Sequence, residues 1–95
     1  MLTLGMDQVT EALDHLSESL VIRRDIGDRH GQAMTLRLLG LALRRRVRPD
    51  QARESLAEAQ RIFSALGDHE QAAEIRATLT ELDETRSGDV RIQQP

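Results

Sequence analysis

Residues 12–33 read ALDHLSESLVIRRDIGDRHGQA, and residues 52–73 read ARESLAEAQRIFSALGDHEQAA. Set 40 positions apart, they align without a gap. Ala12/Ala52, Leu16/Leu56, Glu18/Glu58, Ile22/Ile62, Gly27/Gly67, Asp28/Asp68 and Ala33/Ala73 are identical. Asp14/Glu54 and Ile26/Leu66 are conservative pairs, and the match resumes at Leu39/Leu79. Self-similarity at such a period is the signature of stacked repeats, each unable to bury its apolar face alone.

The repeated Gly-Asp pair sets the local structure. Glycine takes the left-handed conformation that follows the last helical residue, with no Cβ to clash. The aspartate then offers a side-chain oxygen to the free N–H groups of the next helix, and its charge suits that positive end. Gln71 follows Asp68 by three residues, as in a capping box. A third break falls at Arg48-Pro49-Asp50, where proline stops one helix and is tolerated in the first turn of the next.

These breaks predict four helices, near 7–26, 29–46, 50–66 and 69–84. In the first, Val9, Ala12, Leu13, Leu16 and Leu20 share a face at 3.6-residue spacing. Ala52, Leu56, Ala59, Ile62 or Phe63, and Leu66 do so in the third, and Ile75, Leu79 and Leu82 form a narrower stripe in the fourth. In the second helix, apolar residues from Met34 to Leu43 point nearly all round, which predicts the most buried helix. Gly40 inside it predicts a close helix approach, since a mid-helix glycine otherwise costs roughly 1 kcal/mol. The fold expected is all-α, with antiparallel helical hairpins in a right-handed solenoid. Its domain spans 1–85, one full repeat flanked by two half repeats. Residues 86–95 lack periodicity and read as a flexible tail.

Composition narrows the function. The chain has 95 residues, 39% hydrophobic and 31% charged, which suits one small globular domain with a modest core. No apolar run approaches the roughly 20 residues that span a bilayer, and residues 1–6 lack the basic and apolar regions of a signal peptide. With no cysteine, disulfide scaffolds and thiolate zinc sites are excluded, and a cytoplasmic setting is expected. His15, His30 and His69 form no helical pair, so no metal is expected, and no cofactor motif is present. No nucleophile or metalloprotease motif appears, so no enzyme is expected. All 13 basic residues are arginine. Codon usage in a GC-rich genome explains this, as would selection for bidentate carboxylate or phosphate contacts. A net charge of −3 argues against bulk electrostatic binding of nucleic acid.

Leu36, Leu39, Gly40, Leu43, Ala52, Leu56 and Ala59 resemble the signature of the tetratricopeptide repeat, with Leu36 and Leu43 in place of the usual aromatics and Ser64 in place of the closing proline. The 40-residue period exceeds the usual 34. The longer form, with SLVIRRDIGDRHGQAMTLRLLGLALRR and AQRIFSALGDHEQAAEIRATL, resembles the C-terminal sensor repeats of actinobacterial AfsR/SARP-type transcriptional regulators. The resemblance implies a protein–protein interaction module, whose A helices line a groove for a peptide, or for another domain of the same regulator. It also implies that residues 2–5 are the last turn of a preceding helix. Carried over position by position, the groove would present Met34, Arg37, Leu38, Leu41, Arg44 and Arg45 from the second helix, and Glu74, Ala77, Thr78 and Glu81 from the fourth. Two other readings stand beside it. A truncated repeat leaves a face that a second copy would cover, giving a homodimer. The arginine run at 44–48 would contact phosphate or nucleic acid, although it also lies at a helix C-terminus, where cations complement the macrodipole.

Overall fold

A computed structural model describes residues 2–92, with side chains from 8 to 84. Four helices follow one another: α1 Leu2–Asp25, α2 Arg29–Arg45, α3 Pro49–Ala65 and α4 His69–Ile92. There is no strand among the described residues. Each connection holds three residues, too few to do anything but reverse the chain, so successive helices pack as antiparallel neighbours.

All three turns close in the same way. In the first, the Asp28 N–H donates to the Arg23 carbonyl and the Gly27 N–H to that of Arg24, the paired bonds of a Schellman motif. Arg48 and Val47 repeat this on Leu43 and Arg44, and Asp68 and Gly67 on Phe63 and Ser64. Gly27 and Gly67 have φ of 76° and 82°. The next helices start as the sequence predicts. Asp28 Oδ1 accepts from the Gly31 N–H at 2.9 Å, and Asp68 Oδ1 from the Gln71 N–H at 3.2 Å. The middle turn has no such cap; Pro49 stands at the helix start with no N–H to satisfy, and Val47 takes the left-handed position at φ 59°.

The core lies where α3 is enclosed by α2 and α4. Ala52, Leu56, Ala59, Ile62 and Phe63 of α3 are buried together with Ala33 and Leu36 of α2 and Ala72, Ile75 and Leu82 of α4. Phe63, Leu56 and Ile75 are the largest fully buried side chains. Gly40 shows why α2 can lie so close. A Cβ there would stand 2.6 Å from Leu56 Cγ and 3.2 Å from the Ala52 carbonyl oxygen.

Three expectations are corrected. α2 is not buried all round: Leu38 is 47% exposed, and Leu41 and Leu43 are only half-buried, because its apolar surface is wider than the contact α3 offers. Residues 2–5 do not end a separate helix. α1 is continuous from Leu2 to Asp25, since Gly5 alone, without a cap or proline beside it, does not interrupt the backbone bonds. α4 likewise runs to Ile92, beyond 84, where the last helix was expected to end, with no proline before Pro95 to stop it. The last three residues of the expected tail, 93–95, lie outside the described residues.

Candidate functional site

The repeat places the two A-type helices, α2 and α4, side by side and parallel. Arg37 meets Glu74 at 3.5 Å, and Arg44 meets Glu81 at 3.2 Å. His30 Nε2 lies 3.8 Å from Asp68 Oδ2 one step earlier. Both helices advance by seven residues between the two arginine pairs, about two helical turns, so the contacts form a ladder along one seam. Four of the five charged residues that the sequence assigns to a groove thus face one another. Being largely exposed, each pair is worth roughly 0–1 kcal/mol, and the ladder sets register more than it adds stability. Thr78 sits between the rungs, its hydroxyl donating back to the Glu74 carbonyl at 3.2 Å.

The other assigned residues lie on a different side of α2. Leu38, Leu41 and Arg45, with Ala42, form one wall of an open groove of about 550 Å³, and α1 supplies Gln8, Val9, Ala12, His15 and Leu16. Met34 and Leu38 also line an adjoining hollow that ends at Arg23, Asp28 and His30. The ten residues assigned from sequence therefore do not form one surface. Five belong to the α2–α4 seam (Arg37, Arg44, Glu74, Thr78, Glu81), four to the α1–α2 groove and its adjoining hollow (Leu38, Leu41, Arg45 and Met34), and Ala77 is exposed on α4. The sequence reading assigned none of the α1 wall to the groove. The α1 residues that share an apolar face stay largely uncovered, and Leu20 is the only buried hydrophobic residue of α1 among those described.

The arginine run at 44–48 is divided. Arg44 pairs with Glu81, and Arg46 Nη1 donates to the Thr10 hydroxyl at 2.6 Å, tying the end of α2 to the start of α1. Arg45 points along the groove. No continuous basic face results.

Electrostatics at the first hinge are local. The Gly31 N–H and the Arg23 guanidinium hold the Asp28 carboxyl below its ordinary value of 3.8. Gly31 has no side chain for a steric reason, since a Cβ would collide with the paired Asp28 and Arg23 side chains. His30 stacks edge-on against Phe63, ring centroids 5.6 Å apart, and so closes the core beside the second hinge. Among the described residues, no three His, Asp or Glu side chains converge to hold a metal ion, and no helix is long and apolar enough to cross a membrane.

The geometry is that of stacked helical hairpins, with α2 and α4 paired on one side and an apolar groove between α1 and α2. No curated protein and no solved structure matches the chain. A family model described as tetratricopeptide repeat matches residues 1–65, about two thirds of the chain. With the 40-residue hinge repeat and the stacked helical hairpins, this match shows that the chain belongs to the tetratricopeptide repeat family.

Proposed function

We propose that the chain is a protein–protein interaction module whose contact surface combines the α2–α4 seam with the open α1–α2 groove. Repeats of this family generally mediate protein–protein interaction, and they are typically not enzymes. The observation that carries the choice of surface is Leu38. It is 47% exposed, beside Leu41 and opposite Val9, Ala12 and Leu16, in a position the hairpin core does not use. Contiguous exposed apolar surface of this kind marks an interaction site. Arg45 at its edge, and the charged seam beside it, supply orientation.

The resemblance to AfsR/SARP-type sensor repeats supports the finer reading. The chain, with its repeat unit at 1–85, forms C-terminal regulatory repeats of a cytoplasmic bacterial transcriptional regulator, and the guest is a peptide or a domain of that regulator. A photo-crosslinking residue placed at position 38 or 41, in the chain expressed in its host, tests the surface. Adducts are expected from both positions and not from position 76 on the outer side of α4. Adducts from 76 alone would refute the assignment. A second copy is the competing occupant, favoured by the same apolar groove; a strict monomer by sedimentation equilibrium at high concentration removes it.

A further inference from the structure

The chain contains its own template for what fits the groove. α2 lies on α3 and beside α4, and the helices it touches repeat 40 residues earlier as α1 and α2. Ala52 and Leu56, which receive Gly40, are 0% and 1% exposed. Their equivalents Ala12 and Leu16 are half-buried and line the open groove. Ile62 is 3% exposed and its equivalent Ile22 58%. One half of the buried α3 surface is thus present again on α1, where no described residue covers Ala12 and Leu16 as Gly40 covers their equivalents; in the other half Ser19 and Arg23 stand where Ala59 and Phe63 do.

The far end of the stack is different. The α2 positions that pack on α3, Ala33, Leu36, Gly40 and Leu43, correspond on α4 to Ala73, Arg76, Thr80 and Asp83, all exposed. A polar outer face is how helical stacks terminate. Among the described residues, the outer face of α4 is thus polar, whereas α1 leaves Ala12 and Leu16 in an open groove.

We infer that the α1–α2 groove is the docking site for an amphipathic helix of a partner protein, seated parallel to α2 in the pose that α2 takes on α3 and α4. This rests on the reading of the chain as an interaction module and specifies the chemistry of its guest. Leu16 stands where Leu56 does, so the guest carries glycine at the crossing, as α2 carries Gly40. The seam residues change character: Glu74 and Glu81, which receive Arg37 and Arg44, correspond to Met34 and Leu41. The guest therefore brings uncharged apolar residues to those two places, because a cation there would be desolvated with no partner. A carboxylate within reach of Arg45 adds charge complementarity, since Arg45 has no ion pair among the described residues.

The same rules disfavour a second copy as guest. Its α2 would set Arg37 and Arg44 against Met34 and Leu41, and its α4 would lay Arg76 and Asp83 on Ala12 and Leu16.

The probe is a stapled peptide of residues 29–46 carrying Arg37→Leu and Arg44→Leu, titrated into the full 95-residue chain by fluorescence anisotropy. It should bind at least roughly tenfold tighter than the unsubstituted peptide, the value of burying one large apolar side chain. Adding Gly40→Leu to the peptide should abolish binding. Leu38→Glu in the chain should weaken binding by about tenfold or more, with helicity unchanged by circular dichroism, whereas Arg76→Glu should not. Equal binding of both peptides, indifference to Gly40→Leu, or binding that survives Leu38→Glu would each overturn the inference. So would a chain that dimerises and is made monomeric by Leu38→Glu, since a second copy then fills the groove. If the peptide fails while crosslinking at position 38 still captures a partner, the interaction module stands and the helical guest falls; if both fail, the module falls as well.

Discussion

Gly40→Ala separates two physical effects of opposite sign. On helix propensity alone, replacing a mid-helix glycine with alanine stabilises by roughly 1 kcal/mol. At this position the new Cβ would stand 2.6 Å from Leu56 Cγ, 2.9 Å from Leu56 Cδ2 and 3.2 Å from the Ala52 carbonyl oxygen. Carbon atoms in ordinary contact sit about 3.5–4.0 Å apart, so α2 and α3 must separate or Leu56 must leave its rotamer. Leu56 is 1% exposed and has nowhere open to move. Overpacking of this kind costs about 1–3 kcal/mol. Packing should win, with a net loss of up to about 2 kcal/mol, which for a domain of this size lowers Tm by up to roughly 15 °C. Thermal and urea unfolding followed by circular dichroism would read it. A double-mutant cycle sharpens the test. Leu56→Ala alone should cost about 2–5 kcal/mol, and the double variant should lose less than the sum by roughly 0.5 kcal/mol or more, because the smaller side chain makes room for the methyl. A Gly40→Ala protein that melts higher than the parent, or two losses that simply add, would show that the α2–α3 approach is not close at this point.

Three further outcomes follow from the turns. Val47→Gly should stabilise by about 1 kcal/mol, because valine holds φ 59° at 81% exposure, where Gly27 and Gly67 stand in the other two turns; a lowered Tm would count against this. Asp68→Ala should lose about 1 kcal/mol through the missing cap on Gln71, and Asp68→Ser should recover most of it, both measured by urea midpoint. Asp28 has a depressed carboxyl pKa in the folded state, so its contribution is present in full above the ordinary value near 3.8 and is lost as pH falls through the lower folded value. The stability gap between the parent and Asp28→Asn should narrow over that acid range, and a carboxyl titration by NMR with a midpoint at or above 3.8 would contradict it.

The helix boundaries were legible because their causes are local. A left-handed glycine, a capping aspartate and a turn-starting proline act on backbone groups within five residues, so Gly27-Asp28, Gly67-Asp68 and Pro49 announce themselves. Val47 carries no such signal; only the Schellman bonds around it show that it fills the glycine position. The end of α4 was missed for a related reason. Irregular hydrophobic spacing after residue 84 removes a packing signal but contains no chain breaker, and backbone bonding continues to Ile92.

Period and composition, taken alone, settle that this chain makes four helices, stacked as repeats. They also limit the core to aliphatic side chains and one phenylalanine, since the only aromatic residue is Phe63. What the tertiary structure decided is which surface each repeated residue meets. Ala12 and Ala52, or Leu16 and Leu56, are the same residues in the same local setting, yet one of each pair is core and the other lines a groove. Arg37 and Arg44 are seam residues only because α4 brings carboxylates from 37 positions away to within 3.5 Å. Burial and ion pairing depend on neighbours far along the chain, and a residue's own segment holds no information about where in the stack that segment stands.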